Sequence, residues 1–116
     1  MSDLARIEVE RLGGLQVVRV HGEIDISNAR DLGEAIENAV SNGLHGFVLD
    51  LSATRYLDSA AVELLFRLAA RLAARRLAMR LIVPADSPIR GVLELTGVPR
   101  AVAIEERLAE PDSDAE

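Results

Sequence analysis

Residues 47–59 read Phe-Val-Leu-Asp-Leu-Ser-Ala-Thr-Arg-Tyr-Leu-Asp-Ser. The apolar run Phe47–Leu51 is typical of a short buried strand. We expect Ser52–Leu57 to be a short connection, because the apolar residues that follow it are spaced as in a helix. This stretch therefore predicts a strand, a connection and a helix, with Asp58 and Ser59 at the helix start and facing solvent.

A helix start suits negative charge. Its first backbone amides have no partner within the helix, and the positive end of the helix dipole lies there. A phosphate added to Ser59 would be accommodated by these groups while changing the surface charge sharply. The simpler interpretation is that Asp58 or Ser59 only caps the helix. Both interpretations stay open from these residues alone.

The rest of the chain alternates between stretches with the apolar pattern of a strand and stretches with that of a helix. It predicts strands at 7–9, 15–20, 47–51, 79–83 and 101–104, with a turn at Gly13-Gly14. A first helix is predicted after Gly22–Asp25, capped by Ser27 or Asn28 and ended by Gly43. A second helix is predicted over 60–76. A third is predicted to start at Ser87-Pro88 and to end at Gly97, and 105–108 is predicted to add a helical turn. The order β-β-α-β-α-β-α-β predicts a single α/β domain, a mixed sheet of about four to five strands packed with about three to four helices.

The composition narrows the class of protein. The chain has 116 residues, a net charge of −6, 3% aromatic residues and no Cys. Without Cys, disulfides, Cys catalysis and zinc–thiolate sites are excluded. The acidic balance speaks against nucleic acid or an anionic membrane as a partner. No apolar run reaches membrane-spanning length and no signal peptide is evident, so we expect no membrane insertion and a cytoplasmic location.

The charge pattern also divides the chain. Residues 1–110 are predicted to form the one domain, because their apolar pattern supplies a single core. Residues 111–116 are acidic and are predicted to be a disordered tail. His21 and His45 show no metal-ligand spacing, so we expect no metal site.

Three segments together resemble a known family. They are Gly22-Glu23-Ile24-Asp25 with Ala29 and Leu32, Val48–Leu51 with Leu57-Asp58-Ser59, and Val83–Pro88 with Leu93–Gly97. In this order and spacing the chain resembles a STAS domain (sulphate transporter and anti-sigma factor antagonist), of the free-standing antagonist kind. The resemblance covers about residues 7 to 105 and implies a STAS-like fold.

The resemblance also implies a function. In that family the Ser that follows the Asp, here Ser59, is phosphorylated by an anti-sigma factor that is also a Ser/Thr kinase. The unphosphorylated antagonist binds the kinase and frees the sigma factor, which regulates transcription. The phosphorylated antagonist does not bind until a phosphatase removes the phosphate. The kinase brings ATP, so we expect this chain to have no catalytic residue of its own and no cofactor, and not to be an enzyme. The partner-binding surface is expected to comprise Asp25, Asp58, Ala60, Val62 and Glu63.

The chain departs from the family at two positions. Many members have Gly at the positions that Ala61 and Glu63 occupy here. A side chain at these positions changes how closely a partner approaches the helix start.

Two other functions compete with the switch. A constitutive STAS scaffold subunit of a transporter or signalling complex would use Ser59 as an ordinary interface residue. A small hydrolase would need a triad of Ser59, His21 and Asp25, but the pattern Gly-x-Ser-x-Gly is absent.

Other charged residues have plain interpretations. Arg67, Arg71 and Arg75 form a basic stripe, either a solvated helix face or a contact for an acidic partner. Glu63 precedes Arg67 by four residues, which predicts a helical ion pair. Asp50 ends the central strand and is predicted to be a turn or cap residue rather than part of a site.

Overall fold

A computed structural model describes residues 4–108. The elements follow one another in this order: β1 (Ala5–Leu12), β2 (Leu15–Ile24), α1 (Ala29–Ala39), β3 (Gly46–Asp50), β4 (Thr54–Leu57), α2 (Ser59–Ala74), β5 (Met79–Ile82), α3 (Arg90–Leu95), α4 (Val98–Ala101) and β6 (Ala103–Glu105). The predicted mixed α/β fold is confirmed. The predicted tail at 111–116 lies outside the described residues.

The strands form one mixed sheet in the order β1-β2-β3-β5-β6, and β4 pairs with β2 beyond the end of β3. The hairpin β1–β2 is antiparallel and closes at the pair Leu12 and Leu15. The other pairings are parallel. Parallel neighbours need crossover connections, which helices provide.

The main core lies between one face of the sheet and the helices. Because successive side chains of a strand point to opposite faces, Val18 and Leu49 belong to this core whereas Val17 and Val48 do not. The latter two form a small cluster with Ile82 on the other face. The two long helices approach closely at Gly33, where a Cβ atom would lie 2.5 Å from Cδ1 of Leu64.

Strand β4 was not predicted, and the expected connection Ser52–Leu57 was wrong in this respect. Thr54–Leu57 pairs in parallel with the end of β2. The hydroxyl of Thr54, which is buried, donates to the carbonyl of Val20 at 2.9 Å. The amide of Gly22 donates to the carbonyl of Ala53 at 3.1 Å. These tertiary hydrogen bonds stabilise a strand of four residues that its own sequence pattern hardly indicates.

Helix ends also differ from the predictions. Helix α1 ends at Ala39 rather than at Gly43. The reason is the side chain of Gln16, which donates to the carbonyl of Ala39 at 2.8 Å and accepts from the amide of Ser41 at 3.0 Å. These bonds satisfy backbone groups that a helix end leaves unpaired, so a glycine cap is not needed.

The C-terminal third contains the remaining corrections. Helix α3 begins at Arg90, because the hydroxyl of Ser87 accepts from the amide of Ile89 and closes a turn instead of capping a helix. The short helix α4 was missed, so the last strand begins at Ala103 rather than at 101. The helical turn expected at 105–108 is not formed.

Candidate functional site

Two strand-to-helix junctions lie side by side at the carboxyl ends of two neighbouring strands. Strands β2 and β4 are parallel, and their last residues, Ile24 and Leu57, are paired. The amide of Asp58 donates to the carbonyl of Ile24 at 3.2 Å. The segment before α1 and the start of α2 therefore leave the sheet together.

Asp58 links the two junctions with one carboxylate. It is the N-cap of α2, and its Oδ1 accepts from the amide of Ala61 at 3.1 Å. Its Oδ2 accepts from the amide of Ile26 at 3.1 Å. The first bond satisfies an unpaired amide of the helix start. The second bond holds the segment before α1 against α2.

Ser59 is the first residue of α2 and its side chain is exposed. Its hydroxyl makes no hydrogen bond to any residue between 4 and 108. Because Asp58 already caps the helix, the hydroxyl of Ser59 is not needed for capping. The structure thus presents an unengaged alcohol at the surface, beside the backbone amides of a helix start.

Asp25 belongs to the other junction and binds a different serine. Its Oδ1 accepts from the amide of Ser27 at 2.8 Å and from the hydroxyl of the same residue. The hydrogen bond from that hydroxyl is the main cause that lowers the pKa of Asp25 below its ordinary value. No hydrogen bond joins Asp25 to Ser59, so the two expected site residues share the sheet edge without a direct bond.

Asn28 fixes the segment before α1 from beneath. It is 3% exposed. Its Oδ1 accepts from the amide of Asp25, and its Nδ2 donates to the carbonyl of Glu23, both at 2.9 Å. Asn28 was predicted as a possible helix cap, but its side chain makes no cap bond to α1. The side chain of Asn28 therefore binds the backbone of the segment before α1 and not the helix itself.

Three further expected residues lie on the first turns of α2 in different environments. Ala60 and Glu63 line a groove between α1 and α2 of about 310 Å³. Val62 packs in the core and is 6% exposed, which leaves little of its surface for a partner. The groove therefore joins Ala60 and Glu63 to the residues of the first junction. Its lining comprises Ile26, Ala29, Arg30, Ala60, Glu63 and Arg67.

Exposed apolar side chains lie on the chain segments that meet at the start of α2. Ile26 is 82% exposed and Tyr56 is 51% exposed, and neither was predicted to belong to the site. Phe66, at 36% exposure, lies seven residues after Ser59 and so on the same face of α2. The signal available for Ile26 was an apolar residue between two polar ones, outside the helical stripe. Such a cluster is typical of a protein-binding surface.

Two sequence-based hypotheses are wrong. Nε2 of His21 lies 2.7 Å from Oε1 of Glu8 on the face of β1 and β2, so His21 does not complete a triad with Ser59 and Asp25. Glu63 and Arg67 do not form the expected ion pair.

Two plain interpretations fit the structure. Arg71 pairs with Glu37 at 3.5 Å on a largely solvated face. Asp50 accepts from the amide of Ser52 and from Nε of Arg19, both at 2.9 Å, which confirms its role as a turn residue.

Within residues 4–108 no group of three or more His, Asp and Glu side chains is placed to hold a metal ion. Over the same range, no helix combines the length and the apolar character that crossing a bilayer requires.

The family model for the STAS domain matches residues 6–110. The chain therefore belongs to the STAS domain family. A sequence search of curated proteins finds no significant match.

Solved structures extend the comparison. An anti-sigma factor antagonist from Mycobacterium paratuberculosis aligns with a TM-score of 0.75 and 27% identity, over 90% of this chain and 87% of that chain. The unphosphorylated form of the anti-sigma factor antagonist SpoIIAA aligns with a TM-score of 0.66 and 18% identity, over 95% and 93%. A sulfate transporter family protein from Wolinella succinogenes aligns with a TM-score of 0.69 and 15% identity, over 82% and 79%. At these identities the last two show the fold alone.

Proposed function

We propose that this STAS domain is an anti-sigma factor antagonist that binds an anti-sigma factor with serine kinase activity and is released from it by phosphorylation of Ser59. The observation that carries the proposal is the exposed, unengaged hydroxyl of Ser59 at the start of α2. The likeness at 27% identity to an anti-sigma factor antagonist supports it. The protein would thereby regulate transcription in the cytoplasm.

The switch would act through charge. A phosphate carries about −1.5 to −2 charges at neutral pH. At Ser59 it would lie beside Asp58 and near Glu63, on a chain with a net charge of −6. A partner surface that receives a neutral hydroxyl would then meet repulsion and a desolvation cost. A difference of roughly 3 kcal/mol weakens binding more than a hundredfold, without any refolding.

The covalent steps need nothing else from this chain. The kinase would transfer the γ-phosphoryl group of ATP to Oγ of Ser59, with ADP as the leaving group, while the hydroxyl proton passes to a base of the kinase. A Ser/Thr phosphatase would hydrolyse the ester and return the hydroxyl. The chain supplies the acceptor oxygen and the docking surface, so it requires no cofactor and no catalytic residue.

Ala61 does not obstruct this surface, although it replaces a glycine common in the family. Its side chain is fully buried, and its amide donates to Asp58. The methyl group therefore faces the core and not a partner. Glu63 is exposed, so it is the departure from the family that a partner would meet.

The alternative is a scaffold subunit that does not switch. The fold-level likeness to a sulfate transporter family protein keeps this function in view. In that case Ser59 would be one of several interface residues, and its phosphorylation state would not control assembly.

Affinity capture from the native cell separates the two functions. Wild-type chain as bait should retain an anti-sigma factor with a kinase domain, and Ser59→Asp should lose it. Ser27→Asp is the matched control, because it adds the same charge to the neighbouring junction. Recovery of a transporter subunit and no kinase, equally by all three baits, would establish the scaffold function instead.

A further inference from the structure

Strand β1 forms one edge of the sheet and is unusually continuous for an edge. Its eight residues pair with β2 without a bulge. Within residues 4–108 no strand pairs with its other side. The opposite edge, β6, has only three residues. A long, regular edge strand is a template for pairing with a further strand.

Hydrogen bonds show which residues of β1 face outward. The amide of Glu23 donates to the carbonyl of Leu4, so the even-numbered residues of β1 bond to β2. The carbonyl of Val20, opposite Ile7, points the other way and accepts from Thr54. Since the two kinds of pair alternate along an antiparallel ladder, Ile7 and Val9 direct their amides and carbonyls to the free edge.

Side chains along this edge include both charges on one face. Arg6 and Glu8 are about two-thirds and half exposed. Within the strand they lie 3.9 Å apart, and Glu8 also lies 2.7 Å from Nε2 of His21 and 3.5 Å from Arg19 on β2. On the opposite face Val9 is 49% exposed. The free edge therefore offers backbone groups, an exposed apolar residue and two side chains of opposite charge that are each at least half exposed.

We propose that two copies of this chain pair through β1 in an antiparallel ladder, with Ile7 opposite Ile7 of the second copy, so that the two sheets form one. In this register Arg6 of each copy faces Glu8 of the other. Val9 of each copy faces Ala5 of the other. A two-fold axis passes through the Ile7 pair, which makes the contact self-complementary and closed.

Charge selects this register among those that the outward groups allow. Shifting the centre to Glu8 places the two Glu8 side chains opposite each other. Shifting it to Val9 places Glu8 opposite Glu10 of the second copy. Like charges directly opposite destabilise a strand pair, whereas opposite charges stabilise it. Only the register centred on Ile7 gives two attractive pairs and no repulsive one.

The ionisation of Glu8 supports the same contact. A hydrogen bond from His21 is the main cause that lowers the pKa of Glu8, and Arg6 and Arg19 act in the same direction. The carboxylate is therefore ionised at neutral pH. The inference does not depend on Ser59, which lies on α2 and not on β1, so either proposal can fail without the other.

A charge exchange tests the register. Sedimentation equilibrium should show the wild type approaching twice the chain mass as concentration rises. Arg6→Glu alone places Glu opposite Glu8, and Glu8→Arg alone places Arg opposite Arg6, so each variant should weaken its own dimer at least tenfold. An equal mixture of the two should dimerise again, because every cross-strand pair is then attractive. Arg100→Glu, with the same charge change on α4, is the control.

A backbone variant tests the edge itself. Val9→Pro removes an outward-facing amide that does not bond to β2, and proline is tolerated at such edge positions. It should abolish the dimer, and circular dichroism should show that the fold persists. A wild type that stays monomeric at every concentration overturns the proposal. A dimer that survives both Val9→Pro and the charge variants overturns it as well.

Discussion

The two strand-to-helix junctions contain the same residue types, but the side chains of these residues make different hydrogen bonds. Each has an aspartate and a serine where a strand is followed by a helix. Before α1, Asp25 binds the hydroxyl and the amide of Ser27, its own near neighbour. Before α2, both carboxylate oxygens of Asp58 accept from backbone amides, those of Ala61 and Ile26. In the first junction the aspartate therefore binds the serine, whereas in the second junction the serine hydroxyl has no hydrogen bond to a residue that the structure describes.

This difference decides which hydroxyl is available for chemistry. Transfer of a phosphoryl group to Ser27 would first have to break its hydrogen bond to Asp25, and it would place a dianion against that carboxylate. The hydroxyl of Ser59 needs no such change. Exposure alone does not separate the two serines, because both are exposed. Their hydrogen bonds separate them.

The largest expected effect is on partner binding. Ser59→Asp should weaken the affinity for the anti-sigma kinase about a hundredfold, because it adds charge at the proposed docking surface. Ser27→Asp should weaken it less than about tenfold, because screening reduces the effect of a charge farther away. Isothermal titration calorimetry of both variants against the purified partner measures the difference. Equal losses would remove the distinction between the junctions.

The next effect is on stability. Asp58→Ala should lower the free energy of unfolding by about 1–2 kcal/mol, because it removes the helix cap and the bond to Ile26. Asp58→Asn should fall between the alanine variant and the wild type, because its side chain has one acceptor oxygen instead of two. Urea denaturation followed by circular dichroism gives the values. Asp25→Ala should cost less than Asp58→Ala, because its bonds stay within one turn.

A smaller effect is expected inside the first turn of α2. Ala61→Gly should lower the free energy of unfolding by about 1 kcal/mol, because glycine is a poor helix residue. It should leave the rate at which a kinase modifies Ser59 within about twofold, because the replaced methyl group is buried. A slower phosphorylation of this variant at full folding would show that position 61 contributes to recognition.

The smallest effect concerns acid stability at the first junction. The pKa of Asp25 lies below its ordinary value of 3.8, mainly because the hydroxyl of Ser27 donates to it. Its contribution to stability is therefore complete above the ordinary pKa and is lost as pH falls through the lowered one. Ser27→Ala should reduce this loss, and Asp25→Asn should remove it. Asp86→Asn, in an exposed turn, controls for the loss of one carboxylate; an equal response there would contradict the assignment.

The sequence predicted much of this fold, because the strongest signals in it are local. Apolar periodicity placed α1, α2 and the inner strands, and with α2 it placed Asp58 and Ser59 at a helix start. Strand β4 was missed because four residues without alternation give no periodic signal. The bond from Ile26 to Asp58 spans 32 positions, and no local pattern encodes such a contact. The roles of the two serines differ for that reason, although their local sequences look alike.

The most direct test of the central claim is the site of phosphate transfer. The cognate kinase and ATP should add one phosphate to the wild type and to Ser27→Ala, and none to Ser59→Ala, as read from intact mass and fragment spectra. Unchanged labelling of Ser59→Ala, or a phosphate located on Ser27, would contradict the account.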